Sequence, residues 1–337
     1  MKSIRCSQPN KLEMVQANKP MRRSGEVLIQ IKAIGVCGTD YHAYRGKQPF
    51  FTYPRVLGHE IAAEIVEIDP NPSDMKPGDS VTIIPYLHCG TCIACRNGKS
   101  NACANLQVIG VHKDGGMSEF LAVPLDKIVK TANMTLQQTV IIEPMAIGAH
   151  AIRRANLKQN EFVLVIGAGP IGMAVMKFAK LAGAKVIAMD FNQERLDFSK
   201  RWANIDYVIN ATTDAMEDLI RWTDGDMVPT VIDATGSAKS MENSFKYASH
   251  GGRVVLVSLI QGEISIHYPE FHRKELSLHG SRAATKEDFE YVITCMENEW
   301  IDAESFISHR AHFDDAIDAF QHWLNPESCV IKAIIEL

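Results

Sequence analysis

No stretch of this sequence is apolar for long enough to span a bilayer. The longest candidate, "FVLVIGAGPIGMAVMKFA" from Phe162 to Ala179, is interrupted by glycines and by Pro170, whereas a membrane helix needs about 20 consecutive, predominantly apolar residues. Basic blocks are missing as well: 35 Lys and Arg stand against 40 Asp and Glu, for a net charge of −5. That leaves no electrostatic footprint for nucleic acid. The opening "MKSIRCSQPNKLEMV" has no apolar h-region followed by a small-residue cleavage site, so the expectation is a soluble, cytoplasmic protein without a secretory signal. Low-complexity segments and internal repeats are also absent. With membrane and nucleic acid set aside, the expected partners are a small molecule and copies of the chain itself.

Cysteine is scarce, yet it is not scattered. Four of the eight cysteines, Cys89, Cys92, Cys95 and Cys103, fall within "HCGTCIACRNGKSNAC". Sixteen residues cannot bury four sulfurs in a core of their own, and in a reducing compartment such a cluster binds metal rather than forming disulfides. The spacing C-x2-C-x2-C-x7-C suits four thiolates around a tetrahedral Zn²⁺ at ~2.3 Å. Bacterial ferredoxin ligation ends in C-x3-C-P, which this run does not. With sulfur at every vertex, the expected zinc is structural.

At 337 residues the chain exceeds the ~250–300 residues at which single cores stop growing, so two domains are expected. "GEVLIQIKAIGVCGTD", "HEIAAEIVEI", "GDSVTIIPY" and "SEFLAVP" are rich in β-branched residues punctuated by Gly, Pro and Asp, which indicates an all-β unit of short strands. From Asn160 the texture changes. "EFVLVIGAGPIGMAVMKFAKLAGAKVIAMD" reads as strand, glycine turn, helix and strand. Apolar runs at "YVINA", "TVIDATG", "GRVVLVSL" and "LSLHGS" then alternate with helical segments, predicting a doubly wound parallel sheet. Beyond Arg282 the chain turns helical through "KEDFEYVITCMENE" and ends in the strand "SCVIKAIIEL".

Gly167, Gly169 and Gly172 spell G-x-G-x-x-G between that strand and helix. Gly167 permits the tight turn, Gly169 lets backbone approach a pyrophosphate at the helix N-terminus, and Gly172 allows close packing of helix on strand. Pro170 is well tolerated in the first helical turn. Asp190 ends the next strand, where a carboxylate accepts from ribose hydroxyls and repels a 2′-phosphate, favouring NAD over NADP. Arg195 lies near enough to reach a phosphate, but its preferred reading is a solvated charge on the helix "NQERLDFSKRWA". Thr235, in "DATG", is assigned with the cofactor-binding residues.

Three further pieces carry metal-ligand chemistry: "GVCGTDYH" with Cys37, "GHE" with His59 and Glu60, and "IIEPMAIGAHA" with Glu143. Singly, each has an ordinary reading as a buried thiol, a core histidine or a helix N-terminal carboxylate. Together with "GAGPIG" and the four-cysteine lobe, in this order and spacing, they resemble the zinc-containing medium-chain dehydrogenase/reductase family of alcohol, polyol and threonine dehydrogenases. The resemblance covers essentially the whole chain.

It implies a GroES-like catalytic domain (1–145 and 282–337) interrupted by a Rossmann domain (146–281), with the active site in the cleft between them. It implies catalytic zinc ligands Cys37, His59 and Glu143, with Glu60 beside the metal and in some members entering its shell. Thr39 would receive the alcohol proton, and His42 would pass it through the cofactor ribose to solvent. Asp40 would hold the free nitrogen of His59. Two zinc ions per subunit, NAD and a homodimer or homotetramer follow from the same likeness, as does a lobe placed near subunit contacts. One departure is informative. Vertebrate-type members carry cysteine where this chain has Glu143, whereas the sorbitol dehydrogenase-like branch carries "EP" as here. A carboxylate in place of a thiolate leaves a more Lewis-acidic zinc, which fits substrates with several hydroxyls.

Within the family, "RGKQPFFTYPRVLGHE", "VIGVHKDGGMSEF", "PEFHRKE" and "GSRAAT" are similar to bacterial dehydrogenases of hexonate sugar acids, of the L-galactonate and L-gulonate kind. Arg45, Lys47, His112, Lys113 and Arg282 are candidate cations for a substrate carboxylate. Arg282 also suits the cofactor pyrophosphate. The expectation is oxidation of a secondary hydroxyl at carbon 5 of a hexonate; the alternative is a neutral polyol such as sorbitol or xylitol. A non-catalytic NAD-sensing protein would be favoured by loss of Cys37, His59 or Glu143, and all three are present.

Overall fold

The change of texture near Asn160 becomes a division into two units in the computed structural model, which describes all residues from Met1 to Leu337. Met1–Glu143 with Thr285–Leu337 form one unit, and Pro144–Ala284 form the other. No helix is long and apolar enough to cross a membrane.

The first unit is organised by the strand Glu26–Val36, whose Val27, Ile29, Ile31 and Ile34 are buried. β-branched side chains of this kind suit a pleated, covered surface. The strand lies at the centre of a seven-stranded sheet. In spatial order the path runs Ile128–Lys130, Ser80–Ile83, Glu60–Glu67, Glu26–Val36, Ala333–Glu336 and His309–His312, with Phe120–Pro124 also pairing with the central strand. Two registers matter for function. Gly35 lies opposite Glu60 in one antiparallel pair, and Val36 lies opposite Ala333 in the other. Cys37 and His59 are therefore the residues just beyond two paired strand ends, with Lys332 alongside.

Buried Ile29, Ile31, Ile61, Val81, Phe313 and Phe320 belong to this unit's core. The expected helix after Arg282 is present as Lys286–Glu297. The short pair Tyr86–Leu87 and Gln107–Val108 closes the base of the four-cysteine lobe.

The second unit is a six-stranded sheet in the order Tyr207–Asn210, Lys185–Asp190, Phe162–Ile166, Val228–Asp233, Ala248–Leu256 and Ser277–Gly280, parallel throughout. Near-continuous apolar runs such as "VLVI" are what a sheet covered on both faces requires. The order reverses between Phe162–Ile166 and Val228–Asp233. Right-handed crossovers on either side of that point put the helices on opposite faces, the doubly wound arrangement expected.

Candidate metal and dinucleotide sites

In the lobe, backbone N–H groups converge on sulfur. Cys89 N donates to Cys103 Sγ at 3.2 Å, Asn105 N to the same sulfur at 3.3 Å, Cys92 N to Cys89 Sγ at 3.3 Å and Ala104 N to Cys92 Sγ at 3.5 Å. The hydrogen bond from the Thr91 hydroxyl, with the Thr91 and Cys92 N–H groups, pulls the Cys89 thiol down to about 5. All four Sγ atoms lie within 4.8 Å of one another. Soft donors at this separation with N–H groups aimed at them fit a zinc ion. Lys127, 7% exposed, sits 2.8 Å from His88 Nδ1, beside the first cysteine.

The second cluster is assembled from distant segments. Cys37 precedes the helix Gly38–Tyr44, and the Asp40 carboxylate on its first turn accepts from Cys37 N at 2.9 Å and from Gly58 N at 3.3 Å. One buried side chain thus ties together the two loops that carry Cys37 and His59. One ligand atom each from Cys37, His59 and Glu60 lies within 4.8 Å of the others. His59 is 5% exposed, and its buried Nδ1 has no hydrogen-bond partner within the chain. A thiolate, an imidazole and a carboxylate brought this close fit a zinc ion. Burial alone would lower the basicity of His59, but the facing Cys37, Asp40 and Glu143 raise it well above its ordinary value.

Two expectations change. Asp40 does not hydrogen-bond His59: its Oδ1 is 3.9 Å from Nδ1, beyond hydrogen-bonding reach, and its two oxygens accept instead from the Cys37 and Gly58 N–H groups. Glu143 is not among the three convergent donors. It is buried nearby, and its Oε1 accepts from the Tyr86 hydroxyl. Burial pushes the Glu143 carboxyl up to about 7, against the pull of His59 and with a further push from Glu60.

Glu60 has a partner that the motifs did not reveal. Lys332 and Glu60 are each 1% exposed, and the Lys332 ammonium meets Glu60 Oε2 while donating to Val36 O at 3.1 Å. Gly35 makes the room, since a Cβ there would collide with the Glu60 carboxylate. The available signal was a lone lysine inside the apolar run "CVIKAII".

Thr39 and His42 lie three residues apart on the helix Gly38–Tyr44, hence on neighbouring positions of one face. Thr39 is half-buried and His42 exposed. Desolvation by the neighbouring protein, then Arg45 and Lys47, lower the His42 pKa and favour the neutral ring. Among the candidate cations, Arg45 donates to Leu324 O at 3.2 Å and His112 Nδ1 accepts from Val108 N at 3.0 Å. Lys47, Lys113 and Arg282 are exposed, the last in the second unit.

In that unit Gly167 adopts φ +99°, a conformation that favours glycine. A Cβ on Gly172 would strike Gly167 O, whereas one on Gly169 would meet nothing within 4 Å. Gly169 therefore opens the N-terminus of the helix Pro170–Leu181, where backbone N–H groups and the helix dipole favour an anion. Asp190 also grips the backbone around it. Its Oδ2 accepts from Ala168 N at 2.6 Å, inside the glycine turn, and its Oδ1 from Asn192 N at 2.8 Å. Thr235 is exposed on the neighbouring strand end, its hydroxyl 2.8 Å from Asp233. Arg195 is half-buried on the helix Gln193–Ala203, its N–H capped by Asn192 at 3.0 Å.

Residues 23–133 match the alcohol dehydrogenase GroES-like domain, and residues 170–298 match the zinc-binding dehydrogenase family. Over 335 residues, 99% of this chain and 98% of its relative, the sequence is 41% identical to an L-galactonate-5-dehydrogenase of Escherichia coli. A crystal structure of an E. coli alcohol dehydrogenase complexed with NADH superposes with a TM-score of 0.93 at 32% identity, covering 100% of this chain and 99% of that one. Galactitol-1-phosphate dehydrogenase of E. coli superposes with a TM-score of 0.92 at 25% identity over 100% of both chains. Because the likeness runs through both units without a break, the chain belongs to the zinc-type alcohol dehydrogenase family, oxidoreductases acting on CH–OH groups with a GroES-like unit and a Rossmann unit.

Proposed function

We propose that the enzyme oxidises a secondary hydroxyl of a hexonate sugar acid, at carbon 5, with NAD as acceptor. The observation that carries the chemistry is the convergence of Cys37, His59 and Glu60 within 4.8 Å beside buried Glu143. The 41% identity to an L-galactonate-5-dehydrogenase supports the substrate class. When bound, zinc supplies the Lewis acidity that eases loss of the hydroxyl proton and NAD supplies the hydride acceptor.

The chain's residues do the rest. Cys37, His59 and Glu60 hold the metal, and Asp40 keeps their two loops in register. Glu143, steadied by Tyr86, presents a second carboxylate to the site. Thr39 relays the hydroxyl proton, accepting it while giving up its own, and neutral His42, one helical turn away, is the next acceptor. Gly167, Gly169 and Gly172 cradle the pyrophosphate, and Asp190 and Thr235 line the nucleotide. Cys89, Cys92, Cys95 and Cys103 hold a second, structural zinc, and the enzyme works in the cytoplasm as a homodimer or homotetramer.

A neutral polyol such as sorbitol or xylitol is the second reading, favoured by the 29% identity over 311 residues to a probable D-xylulose reductase of Arthroderma otae. A panel of aldonates and hexitols, assayed with NAD and NADP by absorbance of the reduced nicotinamide, separates the two. The sugar-acid reading predicts the highest kcat/KM on L-galactonate or L-gulonate; sorbitol exceeding every aldonate would replace it with the polyol reading.

A further inference from the structure

Asp233 ends the strand Val228–Asp233 in register with Ile166, the last residue before the glycine turn. These are the two strands between which the sheet order reverses, the place where open α/β sheets bind ligands. The segment after Asp233 touches the glycine turn directly. A Cβ on Gly167 would lie 3.1 Å from the Ala234 carbonyl and 3.2 Å from Thr235 Cγ2, so where Ala234 and Thr235 stand sets where the turn can stand.

Their position is held by one carboxylate. Asp233 Oδ1 accepts from Thr235 N at 3.0 Å and from Thr235 Oγ1 at 2.8 Å, and Oδ2 accepts from Ser240 Oγ at 2.5 Å. Thr235 Oγ1 in turn accepts from Ser237 N at 3.1 Å, and Ser237 caps the helix Ala238–Tyr247. Asp233 is fully buried, and all three donors to it are neutral. Burial pushes its carboxyl up, against the pull of Ser240 and Thr235. A buried carboxylate without a cation among these contacts is a costly way to end a strand. What it provides is a closed cycle of hydrogen bonds joining strand end, turn and helix start.

We infer that Asp233 is a positioning residue of the dinucleotide site: through Thr235 and Ser237 it sets the Ala234–Ser237 turn, and that turn buttresses Gly167 so that the phosphate cradle is preformed. The inference rests on the reading of this unit as the NAD-binding one.

The test is NADH affinity of the full-length protein, followed by nicotinamide fluorescence, with thermal unfolding of each variant alongside. Asp233→Ala is expected to raise the NADH Kd at least about tenfold and the KM for NAD by more than kcat falls. Asp233→Asn keeps an acceptor for Thr235 and is expected to remain within about threefold of wild type. Thr235→Val, at an exposed position, is expected to weaken NADH about fivefold and Thr235→Ser to restore it, so the inference remains testable if Asp233→Ala does not fold. A folded Asp233→Ala or Thr235→Val with a Kd within twofold of wild type overturns the inference. So does Asp233→Asn as weak as Asp233→Ala, which would assign the effect to charge rather than geometry. Wild-type protein that fails to bind NADH would overturn the dinucleotide reading itself, a result distinct from tight wild-type binding with unaltered variants.

Discussion

The four-cysteine lobe and the Cys37–His59–Glu60 cluster offer a metal the same separation of donor atoms, within 4.8 Å, yet reach it in opposite ways. The lobe draws all its ligands from one loop of fifteen residues. Cys89, Cys92 and Cys95 remain half-buried, and their sulfurs are served by backbone N–H groups of the same loop. The other cluster brings together residues from two strand ends, surrounds them with buried Asp40, Glu143, Tyr86 and Lys332, and commits most of those groups to partners elsewhere in the chain. A local site depends on its own spacing, whereas an assembled one depends on the register of a sheet. Damage should therefore fall on folding or assembly and spare turnover in the first, and reach both stability and turnover in the second.

The sharpest way to break that comparison is to remove one thiolate from each. Cys37→Ser should lower kcat/KM at least about a thousandfold, roughly 4 kcal/mol of transition-state stabilisation, with one zinc per chain lost. Cys95→Ser should also lose one zinc, but lower the thermal midpoint or disrupt assembly more than it lowers turnover per folded active site. Zinc analysis with active-site titration checks both. A stable, fully assembled Cys95→Ser protein without turnover would place the chemistry in the lobe.

Next in size is the buried ion pair. In the zinc-free protein Lys332→Ala strands the Glu60 carboxylate at 1% exposure, and breaking such a pair typically costs about 3–5 kcal/mol. Adding Glu60→Gln to the same variant should recover much of that stability without recovering turnover. Chemical denaturation of the single and double variants measures the coupling; additive losses would deny that the two residues act as a pair.

The same contrast explains what was legible in the sequence. The lobe and the glycine turn are contiguous, so residue type and spacing carry them, and the doubly wound sheet follows from the alternation of apolar runs with helical segments. Cys37, His59 and Glu143 were recognisable as types, but spacing cannot say which carboxylate converges. That choice follows from Gly35 facing Glu60 across the sheet and from Tyr86 engaging Glu143. Lys332 left only the signal of a lone lysine in an apolar run, and its role could not be read from that, because a lysine just ahead of a terminal strand looks like a surface charge until the strand is seen to pair beside Val36. Asp190 shows the converse: its place at a strand end was readable, its grip on Ala168 was not.

That grip reshapes the cofactor experiment. Asp190→Ala removes both the repulsion of a 2′-phosphate and the acceptor that holds the glycine turn. NAD should therefore weaken by roughly tenfold, in line with loss of a charge-assisted hydrogen bond, while NADP gains little in absolute affinity, so the preference narrows mainly from the NAD side. Separate Kd values for the two cofactors check this. A variant with unchanged NAD affinity and strengthened NADP binding would mean that Asp190 acts by repulsion alone.

The smallest effect concerns His42, exposed on the helix that follows Cys37. In alcohol oxidation it must accept a proton, so its neutral form is the working one. Desolvation by the neighbouring protein, Arg45 and Lys47 all disfavour the charged ring and lower its pKa from 6.5. The sign follows directly: neutral imidazole predominates above the lowered pKa, and activity is lost as pH falls through it. The acidic limb that His42 contributes to kcat/KM for oxidation should therefore lie below pH 6.5. His42→Asn should lower activity near neutrality by roughly tenfold, the modest figure expected for a group one step removed from positioned proton transfer, and should flatten that limb. Lys47→Met, which removes one of the two cations, should shift the limb toward higher pH without abolishing it. A His42→Asn enzyme that keeps the wild-type limb would assign the limb to another group and leave Thr39 to deliver its proton to solvent by a different path.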